Sequence, residues 1–231
     1  MTLPVAILAG GLATRLGAVA QQIPKALIDV AGKPFIVHQL ALLRAAGIRR
    51  VVLCIAHLGD QIEAVLGDGS AHGLEIAYSH DGGELLGTGG ALRRALPLLG
   101  DKFLILYGDS YLTCDYAAVE RAFAASDRLG LMTVFRNDGR YDRSNLAFRD
   151  GVIVRYDKVP APDLTHIDYG LNGLTAEAFA AHGDGKLDLA AIWQELLARD
   201  QLFAYEVHER FYEIGSHAGL EETRRVLSEQ S

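Results

Sequence analysis

Two glycines and two separated cations stand near the N-terminus, and these residue types could together bind phosphate. In the stretch LAGGLATRLG, Gly10 and Gly11 follow the apolar residues 5–9, and Arg15 and then Lys25 come after them. Because glycine lacks a Cβ, the backbone N–H groups of such a turn can point at anionic oxygens. Two cations beside the turn suit a polyphosphate whose charge shifts toward a leaving group as a bond breaks. The pattern predicts a phosphate-binding turn, and two unrelated solvated cations are the alternative.

This turn differs from the two common phosphate-binding loops. The dinucleotide-binding pattern G-x-G-x-x-G is missing, as is a P-loop in which Lys directly follows the last glycine. Thr14, Arg15 and Gly17 follow the glycine pair instead, and Lys25 comes directly after Pro24. The sequence therefore argues against both a Rossmann dehydrogenase and a Walker ATPase.

Asp109 is the residue best placed to bind a metal ion. It follows the apolar stretch FLILYG, so in a parallel sheet its carboxylate lies at the carboxyl end of a strand, beside the same crevice as the glycine turn. A carboxylate there can bind Mg²⁺, and capping of its own turn is the alternative. Zinc is not indicated, because the eight histidines are dispersed and no group of His, Cys and Asp has zinc-site spacing.

The elements that must position these residues follow from the hydrophobic pattern of the first half. Apolar runs alternate there with amphipathic stretches. The runs cover residues 5–9, 51–56, 74–78 and 103–107, and the helical patterns cover residues 34–46, 60–66, 90–99 and 115–125. This alternation predicts right-handed βαβ units and a mostly parallel sheet that is covered by helices on both faces.

The second half has a different pattern. Residues 145–148 and 152–156 flank Arg149-Asp150-Gly151, which indicates an antiparallel hairpin. A buried helix at 189–198, a strand at 202–207 and a polar helix from Leu220 complete the chain. We therefore predict an α/β fold, a Rossmann-like and mostly parallel sheet flanked by helices, with an antiparallel hairpin insertion in the C-terminal half.

Length, charge and cysteine content limit the class of protein. The 231 residues suffice for one α/β core, and no repeat or low-complexity tract interrupts them. A formal net charge of −7 with scattered Lys and Arg argues against a nucleic-acid partner or a membrane partner. Cys54 and Cys114 are predicted to be free thiols in a reducing compartment, and the sequence has no signal-like or bilayer-long apolar segment. We therefore expect a cytoplasmic protein.

Further motifs occur in a fixed order along nearly the whole chain. The stretches LAGGLATRLG and IPKALIDVAGKPFI are followed by GTGGA (87–91), YGDS (107–110), YDKVP (156–160), YGLNG (169–173) and FYEIGS (211–216). In these motifs and their order the sequence resembles the sugar-1-phosphate nucleotidyltransferase family. The resemblance implies an enzyme that uses Mg²⁺ to transfer a nucleoside monophosphate from a nucleoside triphosphate to a sugar 1-phosphate, giving an NDP-sugar and pyrophosphate.

The resemblance also implies one nucleotidyltransferase domain over residues 1–231. In such a domain, residues 1–110 would bind the nucleotide and residues 111–231 would bind the sugar phosphate. The sequence contains no hexapeptide repeats of the kind that build a β-helical second domain. We therefore expect no acyltransferase activity.

The catalytic residues implied by the resemblance are Arg15, Lys25 and Asp109. Asp109 would bind the metal ion together with Glu213, which stands before Ile214-Gly215 where the family usually has Asp. The attacking phosphate oxygen is already anionic, so the reaction needs no general base, and no Ser-His-Asp triad is visible in the sequence. Catalysis would then come from positioning and from neutralisation of two polyanions.

The implied nucleotide site combines the glycine turn with the loop that leads to residues 87–91. Its residues are Leu8, Ala9, Gly10, Gly11, Thr14, Arg15, Lys25, Glu84, Gly87, Thr88 and Asp109. Glu84 could accept hydrogen bonds from the N1 and N2 donors of guanine, which favours GTP slightly over UTP or CTP. Thr88 could in addition cap the helix that begins there.

The implied sugar-phosphate site departs from the family at several positions. Its residues are Asn145, Asp157, Lys158, Asp168 and Gly170. Lys158 matches the lysine of the family's Glu-Lys-Pro motif, but its neighbours are Asp157 and Val159, and Asp168 stands where Asn is common. Such positions would contact sugar hydroxyls, so the identity of the sugar stays open. Capping of local turns is the alternative role of both aspartates.

Several functions are compatible with these motifs. The heptose- and mannose-1-phosphate guanylyltransferases look most similar, which predicts a GTP-dependent enzyme of polysaccharide or glycoconjugate synthesis. Uridylyl or cytidylyl transfer to another sugar 1-phosphate is an alternative. A phosphocholine cytidylyltransferase is another, because Tyr111, Tyr141, Tyr156 and Tyr169 could form an aromatic cage around a quaternary cation. A regulator that binds nucleotide-sugars without catalysis is the alternative of another class, and a homo-oligomer is left open.

Overall fold

A mixed β-sheet of ten strands lies at the centre of the protein. The computed structural model describes residues 2–11 and 22–229, and within these residues the chain forms fourteen strands and six α-helices. The strands are β1 (Val5–Leu8), β2 (Asp29–Val30), β3 (Lys33–Pro34), β4 (Arg50–Ile55), β5 (Glu75–His80), β6 (Lys102–Tyr107), β7 (Ser110–Tyr111), β8 (Gly130–Arg136), β9 (Leu146–Arg149), β10 (Val152–Tyr156), β11 (His166–Asp168), β12 (Leu171–Thr175), β13 (Leu202–Val207) and β14 (Tyr212–Glu213). The helices are α1 (Phe35–Ala45), α2 (Gly59–Leu66), α3 (Gly87–Leu99), α4 (Tyr116–Ala125), α5 (Leu189–Ala198) and α6 (His217–Glu229).

The first half of the chain forms the parallel part of the sheet. β1 lies between β4 and β6, β5 pairs with β4, and all these pairings are parallel. Ile7 of β1 lies opposite Leu53 of β4 and Leu106 of β6. The carboxyl ends of these strands therefore meet at one edge of the sheet. This confirms the predicted parallel sheet and brings the glycine turn and Asp109 to the same edge.

The second half adds antiparallel strands to this sheet. β12 pairs with β6 and β8, and β11 connects β8 to the hairpin of β9 and β10. The hairpin is antiparallel, with Asp150 and Gly151 at positive φ in its turn, as the sequence predicts. β13 also pairs with β8, in parallel. β11 and β12 were not predicted, because Gly170, at a φ of +105°, separates two short segments that have no clear period.

Alternating residues of the parallel strands fill two hydrophobic clusters, which lie on opposite faces of the sheet. In β1, Val5 and Ile7 belong to the cluster that includes residues of α1, α2 and α4, whereas Ala6 belongs to the cluster of α3 and α5. Trp193 of α5 is fully buried in the second cluster. Because successive side chains of a strand point to opposite faces, helices bury the sheet on both sides.

Helix α3 begins at Gly87, three residues before the predicted start at residue 90. The N–H groups of Gly89 and Gly90 donate to Leu187 O at 3.0 and 3.1 Å. These contacts satisfy amides that have no partner within the first turn of a helix. The early start therefore depends on a residue about 100 positions away, which the local sequence pattern cannot reveal.

The two cysteines are buried free thiols, as the sequence predicts. Burial raises the pKa of Cys54 and the pKa of Cys114 to about 12. Both thiols are therefore protonated at neutral pH and pack as small apolar side chains. Among the helices of the described ranges, none is long and apolar enough to cross a membrane.

Candidate active site

The glycine turn lies where the ends of neighbouring strands approach each other closely. A Cβ on Gly10 would lie 3.0 Å from the Cβ of Ala56, and a Cβ on Gly108 would lie 2.6 Å from Leu8 O. Glycine is therefore needed at residue 108, where backbone atoms leave no room for a side chain, and a Cβ on residue 10 would be tightly packed. Gly11 differs, since a Cβ there would meet open space. Its backbone is accessible from the adjoining pocket.

A largely apolar pocket of about 350 Å³ opens beside this turn. Most residues of the predicted nucleotide site line it, namely Leu8, Ala9, Gly10, Gly11, Lys25, Gly87, Thr88 and Asp109. Thr14 and Arg15 lie outside the described residues. Glu84 is exposed and lies outside the lining, whereas Asp81 and Leu85, which were not predicted, are part of it. The structure thus brings the glycine turn and the start of α3 together around one cavity.

A second and more polar pocket of about 590 Å³ adjoins the first. Five residues of the predicted sugar-phosphate and metal sites line it, namely Asp109, Asn145, Lys158, Asp168 and Glu213. Asp157 and Gly170 lie outside this lining. Lys25, Tyr107 and Asp109 line both pockets, so the two cavities meet at these side chains. The arrangement can hold two ligands whose neighbouring ends lie beside Lys25 and Asp109.

An ion pair joins Lys25 and Asp109 where the pockets meet. The distance from Lys25 Nζ to Asp109 Oδ2 is 3.0 Å, and 20% and 35% of the two side chains are exposed. Lys25 begins a short 3₁₀ turn after Pro24, and Asp109 lies in the turn between β6 and β7. Because both side chains reach solvent, each can exchange this contact for a ligand or a cation.

Gln39 of α1 supports the turn that carries Asp109. Its side chain is buried, and its Nε2 donates to Tyr107 O at 2.9 Å and to Ser110 O at 2.7 Å. These two carbonyls flank Asp109 in the chain, so one amide group fixes both sides of the turn. Gln39 was not predicted as a site residue. The available signal was a polar residue on the apolar face of an amphipathic helix.

Glu213 reaches the site through a second short pair of strands. β14 pairs with β7 so that Glu213 lies opposite Ser110, and the Ile214 N–H donates to Asp109 O at 2.9 Å. The Glu213 carboxylate accepts hydrogen bonds from the Gly215 N–H, the Ser216 N–H and the Ser216 hydroxyl. These contacts hold the two residues that directly precede α6. The helix begins three residues before its predicted start.

The two carboxylates face the same small volume. A Cβ on Gly215 would lie 2.7 Å from Glu213 Oε2, 3.2 Å from Asp109 Oδ2 and 3.6 Å from Lys25 Nζ. Carboxylate oxygens completed by substrate oxygens and water are the ligands that Mg²⁺ takes, and Glu213 would have to exchange part of its present hydrogen bonding for the ion. Within residues 2–11 and 22–229, no group of three or more His, Cys, Asp and Glu residues could hold a metal ion. A cation here would therefore need ligands from substrate as well as from Asp109 and Glu213.

Asp81 follows the carboxyl end of β5 and contributes a buried carboxyl group to the first pocket. Its Oδ2 accepts a hydrogen bond from the Leu86 N–H at 3.0 Å, which holds the loop that leads to α3. Burial raises the pKa of Asp81 above its ordinary value. Asp81 was not predicted as a site residue, although it follows a strand as Asp109 does, because an acid in such a place also occurs in ordinary turns.

Thr88 contacts the first turn of α5 and does not cap its own helix, so the predicted cap of α3 is wrong. Its Oγ1 accepts a hydrogen bond from the Leu189 N–H at 3.0 Å and lies 3.4 Å from Asp188 Oδ1. The first turn of α3 is instead closed by a backbone carbonyl of Leu187. Thr88 therefore connects the first pocket to the segment before α5.

Asp168 is bound into the wall of the second pocket. Its carboxylate accepts hydrogen bonds from the Tyr107 hydroxyl at 2.9 Å, from Asn172 Nδ2 at 2.8 Å and from the Gly170 N–H at 3.0 Å. Burial raises the pKa of this carboxyl group. Asn145 Oδ1 in turn accepts a hydrogen bond from the Asp168 N–H at 2.9 Å. Three internal donors leave Asp168 little capacity for a ligand, so its clearest role is to fix Tyr107.

Comparison with known proteins gives consistent matches. A family model described as MobA-like NTP transferase domain matches residues 5–230. N-acetylmuramate alpha-1-phosphate uridylyltransferase from Neisseria meningitidis is 46% identical over 113 residues, so this chain spans about half (49%) of that protein. The protein of the same name from Caulobacter vibrioides is 30% identical over 203 residues, which are 83% of each chain. A mannose-1-phosphate guanylyltransferase from Mycobacterium tuberculosis is 38% identical over 112 residues, and this chain spans 31% of it.

Solved structures with the same fold include HddC from Yersinia pseudotuberculosis in complex with GMP-PN. Its TM-score is 0.82, with 98% of this chain and 100% of that chain covered at 24% identity. At this level of identity the likeness concerns the fold. It agrees with the predicted α/β architecture, a mostly parallel sheet between helices.

Proposed function

The chain belongs to the MobA-like NTP transferase family, and from this premise we propose that it transfers a nucleoside monophosphate from a nucleoside triphosphate to a sugar 1-phosphate, with release of pyrophosphate. The observation that carries this proposal is the pair of pockets that meet at Lys25 and Asp109. Transfer between two phosphorylated substrates needs adjacent sites, because the reacting phosphates must lie side by side.

The chemistry of the two pockets supports a different substrate for each. The largely apolar first pocket suits a nucleoside, and the more polar second pocket suits the hydroxyls of a sugar. Residues 1–110 then supply most of the nucleotide site, and residues 111–231 supply most of the acceptor site. Lys158 and Asn145 are proposed contacts of the sugar phosphate in that second pocket.

The main obstacle to such a reaction is the approach of two polyanions. Two unit charges about 4 Å apart repel by about 4 kcal/mol at an effective dielectric constant of about 20. Lys25 lies where the phosphates of both substrates would meet, so its ammonium group can offset part of this repulsion. The attacking phosphate oxygen is already anionic and needs no general base. Arg15 is proposed as a second cation on the sequence alone.

We propose Asp109 and Glu213 as the residues that hold the metal ion, with Mg²⁺ as the ion. The small volume beside Gly215, which both carboxylates face, supports this assignment. When bound, the ion supplies positive charge to the phosphate oxygens and to the departing pyrophosphate. Asp109 would exchange its pairing with Lys25 for the ion, and Lys25 would then be free to contact phosphate.

For the donor we propose UTP, and for the acceptor N-acetylmuramate α-1-phosphate. The names of the Neisseria and Caulobacter relatives support this choice. The expectation of GTP came from the resemblance to guanylyltransferases and from Glu84, which lies outside the pocket lining. Arg143 lines the second pocket and could meet the carboxylate that N-acetylmuramate carries. GTP with mannose 1-phosphate is the second candidate, because mannose-1-phosphate guanylyltransferase is also among the relatives.

The proposal can be tested with purified protein and Mg²⁺. Pyrophosphate release is measured for UTP, GTP, CTP and dTTP, each with N-acetylmuramate α-1-phosphate, mannose 1-phosphate, glucose 1-phosphate or phosphocholine. We expect release only when both substrates are present, and the fastest release with UTP and N-acetylmuramate α-1-phosphate. Tight binding of UDP-sugar without release in any combination would contradict the enzyme and favour the regulator.

A further inference from the structure

A short segment, residues 183–189, contacts Thr88 of the first pocket and Lys158 of the second. We call it the bridging segment. Its Leu187 N–H donates to Leu86 O at 2.8 Å, and Arg93 donates to two of its backbone carbonyls. A Cβ on Gly87 would lie only 2.6 Å from Leu187 O, so glycine there allows the segment to lie against the start of α3. The bridging segment is therefore fixed to the loop that lines the first pocket.

Asp188 in this segment has contacts toward both pockets. Its Oδ2 lies 2.5 Å from Nζ of Lys158, which lines the second pocket. Its Oδ1 accepts a hydrogen bond from the Ala190 N–H at 3.0 Å and lies 3.4 Å from Oγ1 of Thr88, which lines the first pocket. The carboxylate is thus the N-cap of α5, and one side chain bridges the two predicted substrate sites.

A lysine in the position of Lys158 needs such a partner to have a defined direction. Its side chain is 61% exposed, and a four-carbon stem samples many rotamers unless a contact holds it. The ammonium group has three donors. A contact with Asp188 uses one of them and leaves two for a phosphate of the acceptor.

We propose that Asp188 is a positioning residue that orients Lys158 toward the acceptor phosphate. Through its contact with Thr88 it also fixes the position of Lys158 relative to the nucleotide pocket. The proposal rests on the proposed function of the two pockets. Asp188 does not contact the substrates; it acts through Lys158. Its position at the N-cap of α5 makes it a fixed support, because the Ala190 N–H and the bridging segment restrict the carboxylate.

The variant Asp188→Asn separates this role from the capping role. Asn is as good an N-cap as Asp and keeps an oxygen for the Ala190 N–H, but it lacks the charge that holds Lys158. We expect kcat/KM for the acceptor to fall on the order of tenfold, while KM for UTP and the melting temperature stay unchanged. The matched control is Asp200→Asn, which removes an exposed ion pair with Arg128 elsewhere on the surface.

A double-mutant cycle tests whether Asp188 acts through Lys158. If it does, the double variant D188N/K158A has the same acceptor kcat/KM as K158A alone. The second measurement needs no turnover: substrate-free protein is treated with an amine-reactive ester, and labelling of each lysine is read by mass spectrometry. We expect Lys158 to be labelled several times faster in D188N, with labelling of Lys33 as the internal reference.

The possible outcomes are distinct. Additive effects of D188N and K158A, or equal labelling of Lys158 with and without the carboxylate, would overturn the role of Asp188 and leave the proposed function intact. If no pair of substrates gives pyrophosphate with the unchanged protein, the proposed function fails and this role fails with it. Faster labelling in D188N would then show only that the contact exists.

Discussion

Lys25 Nζ and Asp109 Oδ2 lie 3.0 Å apart at the junction of the two pockets, so a predicted phosphate ligand and a predicted metal ligand are paired with each other. Each charge is offset by the other while no substrate is bound. Binding of a triphosphate with a divalent cation would replace this pair by two stronger contacts, cation to carboxylate and ammonium to phosphate. Both residues are therefore expected to affect the reaction more than the stability of the fold.

Replacement of Asp109 by Asn should leave the fold intact and remove turnover. Asn keeps the size of the side chain, but it lacks the charge that Mg²⁺ and Lys25 require. We expect kcat to fall by at least about a hundredfold, as for the loss of a group that stabilises transition-state charge. Pyrophosphate release and a thermal melt give the two readouts, and unchanged release from D109N would disprove the metal assignment.

Replacement of Lys25 by Ala should raise KM for the nucleoside triphosphate and lower kcat, by roughly tenfold or more in kcat/KM. The ammonium group lines both pockets, so it can contact the bound phosphates and the charge that develops during transfer. The control is Lys33→Ala, in the short strand β3. If K25A has the same KM and kcat as the control, Lys25 is a solvated surface residue and does not contact the phosphates.

Replacement of Gly215 by Ala tests the volume between the carboxylates. The new methyl group would lie 2.7 Å from Glu213 Oε2 and 3.2 Å from Asp109 Oδ2, so it would fill the space proposed for the cation. We expect activity to require a higher Mg²⁺ concentration, on the order of tenfold or more. Gly183→Ala, where a Cβ meets nothing within 4 Å, is the matched control. An unchanged Mg²⁺ dependence in G215A would place the cation elsewhere.

Much of the fold could be predicted from sequence because the spacing of apolar residues within a segment indicates whether that segment forms a helix or a strand. The strands β1, β4, β5 and β6 and the hairpin of β9 and β10 were all expected from apolar runs and turn residues. The start of α3 could not be predicted, because the carbonyl that satisfies its amides belongs to Leu187. The short strands β7 and β14 contain two residues each and form only because distant parts of the chain meet.

At the site, too, features that depend on contacts between distant segments could not be predicted. Lys25 could be selected because it is a cation that follows the glycine turn and Pro24, and Asp109 because it is an acid that follows a strand, and the structure brings the two together. Gln39 and Asp188 carry no such signal, whereas Asp81 follows β5 as Asp109 follows β6 and could have been selected on the same ground. The positions of Gln39 and Asp188 near the pockets arise from packing between segments far apart in sequence.

Replacement of Gln39 by Leu should destabilise the protein and slow the reaction. Leu fills a similar volume, but the carbonyl groups of Tyr107 and Ser110 would lose their donor in a buried place. We expect the free energy of unfolding to fall by about 1–3 kcal/mol. Urea unfolding measures this loss, with Gln61→Leu on the exposed side of α2 as the control. A normal kcat in a destabilised Q39L would show that the turn at Asp109 holds without Gln39.

Replacement of Asp81 by Asn should stabilise the protein near neutral pH but not in acid. Burial raises the pKa of Asp81 in the folded protein, so the folded protein holds this proton more tightly than the unfolded chain does. The contribution of the carboxyl group to stability is therefore greatest below its unfolded pKa and is lost as the pH rises through the raised folded value. Asn keeps an acceptor for the Leu86 N–H and does not ionise, so it avoids this loss. Urea unfolding at about pH 7 and about pH 4 should give a larger gain for D81N at the higher pH. An equal change in the free energy of unfolding at both pH values would mean that Asp81 titrates normally in the folded protein.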